Sequence, residues 1–376
     1  AEPAFQAVSL TLHPGDSLRL TGPSGAGKTS LMRLIAGLEQ PTSGLVTARP
    51  RRIGICFAEP RLLANLSTMQ NLLFVAPKMC TDADMMLDAL EIGTLRDRPT
   101  GSLQYVFHDP ETMQGAIVDP VWNFYPEAGA VTTESADEIL AYVAQAGIEI
   151  TWILDTHPHA DHFSAAPYLA GKLGAPRAIG EKVRDIQKLW KDKYNLPESF
   201  PTDGSQWDRL FHDGDSFMVG NLPVKVMFSP GHTLGSITYV AGDAAFVHDT
   251  LMYPESGTSR ADFPGGSSEA LWDSIRAILD LPGETRLFVG HDYPAEGQAP
   301  NYEATVAEHR ARNTHVRDGI SKQEFIATRD ARDATLKLPA RMLAALQVNI
   351  RGGRLPEPES DGYSYLKLPI GRFDPR

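Results

Sequence analysis

Apolar residues along this chain gather into short runs that end at glycine, proline or a polar cluster. Leu18-Arg-Leu-Thr predicts a strand, and Leu31-Met-Arg-Leu-Ile-Ala predicts a helix closed by Gly37. From Ile148 to Thr156 the β-branched and aromatic content predicts a buried strand, and Phe163-Ser-Ala-Ala-Pro-Tyr-Leu-Ala predicts a helix soon after. Runs beginning at Val224, Ala244 and Arg286 predict three further strands, each followed at once by a polar residue able to bind metal. Strands alternating with helices predict an α/β fold. No internal repeat or low-complexity run interrupts the pattern.

A length of 376 residues suits two domains better than one. The halves differ in charge. Residues 1–100 carry 10 basic and 9 acidic side chains, against 25 and 38 in the remainder, and ten of the 11 histidines also follow residue 100. The boundary is therefore expected at Asp97–Ser102, dividing the chain into 1–100 and 101–376. A net charge of −12 argues against binding to nucleic acid or to an anionic membrane surface. No apolar run approaches the ~18–20 residues of a membrane span, and no basic-then-apolar leader opens the chain, so a cytoplasmic protein is expected. The only two cysteines, Cys56 and Cys80, fit a reducing compartment and leave the remainder without a thiol. For assembly, a homodimer is the ordinary prior.

Between the first strand and helix lies Gly22-Pro-Ser-Gly25-Ala-Gly27-Lys28-Thr29-Ser30, the G-x-x-x-x-G-K-T order of a P-loop. Such glycines let backbone N–H groups surround a phosphate, with lysine on the outer phosphates and threonine on magnesium. From about residue 8 to 97 the chain resembles the start of an ABC-transporter ATPase subunit, including Ile35-Ala-Gly-Leu-Glu-Gln-Pro-Thr-Ser-Gly44. Ala58 stands where the resemblance implies the Q-loop glutamine, and the Leu-Ser-Gly-Gly-Gln signature, the switch histidine and a Walker-B carboxylate are missing from the sequence. ATP hydrolysis with magnesium is not expected of this truncated, incomplete P-loop segment; phosphate binding by Gly22, Gly25, Gly27, Lys28, Thr29 and Ser30 is the most it would retain.

The second part holds the denser chemistry. His157-Pro-His159-Ala-Asp161-His162 places four metal-ligand types within six residues at a strand's carboxyl end. Pro230-Gly-His232-Thr, His248-Asp249 and Gly290-His291-Asp292-Tyr293 supply further candidates, again at strand ends. His108, His212, His309 and His315 lie in polar or helical contexts and are expected at the surface.

The order H-x-H-x-D-H, P-G-H-T, Asp, G-H resembles the metallo-β-lactamase fold superfamily over residues 103–376. That resemblance implies an αββα sandwich with the metal at one edge. In a hydrolase branch of glyoxalase-II-like thioesterases, His157, His159 and His232 would hold one zinc ion and Asp161, His162 and His291 another, with Asp249 bridging. In an iron-oxygenase branch, His157, His232 and Asp249 would hold one Fe(II) and leave positions open.

Gly257-Thr-Ser-Arg260-Ala-Asp262-Phe263-Pro-Gly-Gly, Gly290-His291-Asp292-Tyr293 and Val348-Asn-Ile-Arg351-Gly-Gly-Arg-Leu-Pro-Glu-Pro resemble the persulfide dioxygenases. This implies oxidation of glutathione persulfide by O2 and water to sulfite and glutathione. His159, Asp161, His162 and His291 would then orient ligands and move protons. Arg260, positioned by Asp262, would bind a substrate carboxylate, or the two would form a structural ion pair; Tyr293 would hydrogen-bond sulfur or oxygen. His248 departs from the family, which has glycine before the metal aspartate; an imidazole there would crowd the pocket or add a ligand. A binding module with dead active sites is credible for residues 1–100, whereas the complete ligand set argues against it for the remainder.

Overall fold

Along β2 (Leu103–His108), alternate side chains serve opposite faces: Leu103, Tyr105 and Phe107 enter one apolar cluster and Val106 another. The same alternation in β3 (Gln114–Val118) sends Ala116 and Val118 one way and Ile117 the other. Such strands, buried on both faces, belong between layers. The computed structural model describes residues 90–97, 99–292 and 300–373. The chain divides at residues 86/87, so the elements below belong to its second unit.

The first sheet has the order β1 (Ile92–Arg96), β2, β3, β6 (Glu149–Leu154), β8 (Arg177–Gly180), β9 (Arg209–Phe211). The second has β10 (Ser216–Val219), β11 (Leu222–Phe228), β12 (Ile237–Ala241), β13 (Ala244–His248), β14 (Arg286–Val289), β15 (Glu303–Thr305). A small third sheet joins β5 (Ala130–Thr132), β4 (Val121–Tyr125) and β7 (Phe163–Ser164). Both large sheets are mixed, with β3–β6–β8–β9 and β13–β14 parallel and their other pairs antiparallel.

Between the sheets Tyr105 meets Phe246 and Phe288 at centroid distances of 5.6 and 5.4 Å, and Phe107 stacks on Phe246 at 5.0 Å. Each fully buried aromatic contributes about 1.5–3 kcal/mol from apolar burial. Helices α1 (Glu134–Ala146) and α2 (Ala166–Leu173) pack Ile139, Val143 and Leu169 against Val106, Ile117 and Ile153. Helices α4 (Ser268–Leu279) and α6 (Lys322–Asp333) bring Leu271, Ile275, Ile278 and Phe325 to the second sheet, beside α5 (Val306–Arg312). Helices α3 (Val183–Lys193) and α7 (Met342–Asn349) meet through Ile186, Trp190, Met342 and Leu346. This is the αββα sandwich the motifs imply. Among the described residues no helix is long and apolar enough to cross a membrane.

Two expectations need correction. Asp97–Ser102 is a hairpin turn inside the first sheet: Asp97 and Ser102 close it through an N–H···O bond of 2.8 Å, and β1 pairs with β2 from Ile92 opposite Phe107 to Arg96 opposite Leu103. Its Pro-Thr-Gly composition marks a turn, but a hairpin and an interdomain linker share that composition. The helix expected from Phe163 begins instead at Ala166, because Pro167 fits only a first helical turn and Phe163 and Ser164 pair with β4.

Candidate metal centre

β11, β13 and β14 run in one direction, so their carboxyl ends emerge at a common edge. The carboxyl end of β6 is tied to the same edge, where Ile237 N–H donates to Thr156 O at 3.1 Å and Tyr239 Oη–H to Asp155 O at 3.0 Å. The structure thereby brings His157, His159, Asp161, His162, His232, Asp249 and His291 together. Ligand atoms of His157, His159, His248 and Asp249 lie within 4.8 Å of one another, as do those of Asp161, Asp249 and His291.

Hydrogen bonds behind the rings fix which nitrogen faces the centre. Thr156 Oγ donates to Asp119 Oδ2 at 2.7 Å, so it accepts from His157 Nδ1–H at 3.0 Å and leaves the His157 Nε2 lone pair inward. His159 Nε2 lies 2.9 Å from Asp119 Oδ1, and both of its ring nitrogens are buried without a hydrogen bond. His162 Nδ1 lies 3.0 Å from Asp161 Oδ2, leaving Nε2 inward. His232 Nδ1–H donates to Arg260 O at 2.8 Å, leaving Nε2 inward. His157 Nε2, His159 Nδ1 and His162 Nε2 are buried without any hydrogen bond. Bare inward lone pairs with anchored outer nitrogens suit a metal ion and would be costly otherwise.

The electrostatics agree. Burial, then the adjacent His159 ring, hold His157 well below the ordinary histidine value. Burial, against the pull of Asp119, takes His159 down to about 4. Both are neutral at pH 7, the form that binds metal. Burial pushes Asp249 up, but His291 and His248 outweigh it and keep the carboxyl well below its usual range. For His291, burial is outweighed by Asp249 and Asp161, which raise it to about 9. A metal ligated by His291 would therefore release a proton.

Asp249 presents Oδ2 to His157 Nε2 at 3.6 Å and to His232 Nε2 at 3.8 Å. Its Oδ1 lies 3.3 Å from His248 Nδ1 and 3.5 Å from His291 Nε2. Asp161 Oδ2 accepts from Ser102 Oγ at 2.9 Å and lies 3.3 Å from His291 Nε2. A small, mostly apolar cleft lined by Ile186, Trp190, Phe263 and Leu346 opens beside His232.

Arg260 Nε and Nη2 donate to Asp262 at 2.6 and 2.8 Å, and Nη1 donates to Lys337 O at 2.7 Å. Both readings of Arg260 include this contact with Asp262, and it steadies the segment whose carbonyl orients His232. Tyr293 and the P-loop residues Gly22, Gly25, Gly27, Lys28, Thr29 and Ser30 lie outside the described residues. Of the four histidines expected at the surface, His212 is exposed, whereas His108 and His309 are buried at 5% and 0% and His315 is half-buried. His309 lies on the inward side of α5, an orientation invisible in so short a helix.

Several supporting residues escaped the motif reading. Asp119 ends an apolar strand, a signal available in the sequence. Ser102 does not stand out among turn residues. Asn349, at the end of α7, donates from Nδ2 to His159 O and His162 O, each at 2.8 Å, and so clamps the histidine loop.

The model of the metallo-beta-lactamase superfamily matches residues 115–291, spanning β3 to the histidine after β14. A relative named Glyoxylase B2 from Dictyostelium discoideum is 45% identical over 269 residues, covering 71% of this chain and 92% of that protein. The chain belongs to the metallo-beta-lactamase superfamily. The Beta-lactamase hydrolase-like protein of Xylella fastidiosa (strain Temecula1) is 57% identical over 278 residues, 74% of this chain. The chain spans 64% of the length of that relative. Persulfide dioxygenase ETHE1 of Bos taurus is more distant, 29% identical over 252 residues, covering 66% of this chain and 83% of that protein. The crystal structure of ETHE1 from Myxococcus xanthus superposes with a TM-score of 0.56 at 29% identity, covering 70% of this chain and all of that one. An ABC transporter model matches residues 5–112, an interval that reaches into β1 and β2 of this superfamily domain.

Proposed function

We propose that this metallo-beta-lactamase superfamily member is a persulfide dioxygenase in which His157, His232 and Asp249 hold one Fe(II). The observation carrying this reading is the convergence of His157 Nε2 and His232 Nε2 on one carboxylate oxygen, Asp249 Oδ2, at 3.6 and 3.8 Å. The similarity to ETHE1 of Bos taurus and Myxococcus xanthus supports the same choice.

The reaction is RS–SH + O2 + H2O → RSH + H2SO3, with R the glutathione residue. The S–S bond breaks, the terminal sulfur loses four electrons and O2 gains them. Ferrous iron supplies the one-electron steps that triplet O2 requires and closed-shell thiols lack. The chain's own residues do the rest. Thr156 and Asp119 hold His157 and His159 in register, and Arg260 O does so for His232. Phe263 and Trp190 line the cleft beside His232 and keep water from the reacting end of the thiol. His291 Nε2, 3.3 Å from Asp161 and 3.5 Å from Asp249, is placed to move a proton to the departing thiolate. Tyr293 is proposed to hydrogen-bond the terminal sulfur.

A dinuclear zinc thioester hydrolase is the second reading, favoured by the second group of close ligand atoms, Asp161, Asp249 and His291, and by the 45% identity to Glyoxylase B2. Elemental analysis of anaerobically purified protein, with an oxygen electrode, separates the two. One iron per chain and O2 uptake with glutathione persulfide is the expected result; two zinc ions without uptake overturns it. His232→Ala abolishes uptake and Lys28→Ala leaves it unchanged.

A further inference from the structure

His232 turns Nε2 toward the metal centre while its Nδ1–H donates to the carbonyl of Arg260 at 2.8 Å. That carbonyl lies in an irregular segment. Residues 249–267, between β13 and α4, contain no helix or strand, and a loop holds a group to a fraction of an ångström only when its surroundings fix it. Two side chains of α6 do this. Arg329 Nη1 donates to Thr258 O at 3.1 Å, and Asp333 Oδ2 accepts from Ala261 N–H at 2.8 Å. The backbone is thus gripped on both sides of residue 260.

The two anchors form one device. They sit four residues apart on one face of α6, and Arg329 Nη2 donates to Asp333 Oδ1 at 2.5 Å. One turn further on, past the helix end, Lys337 O accepts from Arg260 Nη1 at 2.7 Å. Stability alone does not explain the pair. Both residues are only 2% exposed, and Arg329 Nε is buried with no hydrogen bond. A buried ion pair left incomplete in this way gains little over apolar side chains of similar volume, because desolvation offsets the attraction. Apolar side chains, however, could not hold Thr258 O and Ala261 N–H at fixed points.

We infer that Arg329 and Asp333 are a positioning pair for His232: from α6 they fix the carbonyl that orients its ring, and so set the affinity of the centre for its ion. The inference rests on His232 being a metal ligand, as proposed above, and adds the residues that keep it in place. Neither residue belongs to the groups of close ligand atoms.

The test is Co(II) affinity of the full chain by chelator competition, in wild type, Arg329→Met/Asp333→Leu, His232→Ala and the three changes combined. The methionine–leucine pair buries no charge, so that variant, freed of metal, is expected to melt close to wild type. Its affinity is expected to fall about 10–100-fold, with the Co(II) visible absorption bands shifted. In the His232→Ala background the same two changes are expected to add nothing, since their route to the ion has gone. Should the double variant fail to fold, Asp333→Ala takes its place in the same scheme. Wild-type affinity in the folded variant, or an equal loss with and without His232, overturns the role of the pair alone. His232→Ala with unaltered affinity sinks the proposed ligand set, and the pair's role with it.

Discussion

Replacing His309 by glutamine should make the stability of residues 87–376 less sensitive to acid. The ring is fully buried on α5, and its Nδ1 lies 3.1 Å from Asn313 Nδ2, which also donates to Gly257 O at 3.0 Å. Since that amide is the donor, Nδ1 must stay unprotonated. Burial, followed by the Arg312 charge, takes the group from 6.5 down to about 4. The unfolded chain binds this proton near pH 6.5 and the folded chain only near 4. The stability is therefore complete above 6.5 and is lost as pH falls toward 4. At ~1.36 kcal/mol per pH unit the full loss is about 3 kcal/mol, with about 2 kcal/mol gone by pH 5. Urea unfolding followed by tryptophan fluorescence reads this domain alone, because all five tryptophans lie between residues 122 and 272. Glutamine can accept from Asn313 but does not titrate. Between pH 7.5 and 5 wild type should lose about 2 kcal/mol more than His309→Gln. Protonation of the metal-centre histidines and of His315 occurs in both proteins and cancels. Equal losses in the two proteins would refute the assignment.

Two further perturbations act at the metal centre. Asp119 accepts from Thr156 N–H and Oγ–H, each at 2.7 Å, and meets His159 at 2.9 Å, so Asp119→Asn should weaken metal binding about 10–100-fold by chelator competition; an unchanged affinity would contradict its orienting role. Gly231 has φ +140° and its missing Cβ would fall on the Leu271 backbone, so Gly231→Ala should cost about 2 kcal/mol or more and lower metal content by displacing His232. A variant with wild-type melting temperature and full metal content would show that the turn can yield.

The candidate metal ligands were legible because each follows a recognisable apolar strand, and four of them share one short segment. Alternation along β2 and β3 likewise announces strands buried on both faces. The extent of the domain was not legible: β1 belongs to the first sheet only because it pairs with β2, and pairing leaves no mark in composition. Arg260 reads equally well as a substrate ligand or an ion-pair partner, and its contacts with Asp262 and Lys337 are compatible with both.

By itself the sequence determined the superfamily, the sandwich and the seven side chains able to bind metal, since residue type and spacing along strands are local properties. Only the tertiary structure decided which lone pairs face inward, that Asp119, Ser102 and Asn349 hold the ligands, and that His248 leans on Asp249. Those outcomes depend on which distant segments meet at one sheet edge, and that is a property of packing that no local pattern encodes.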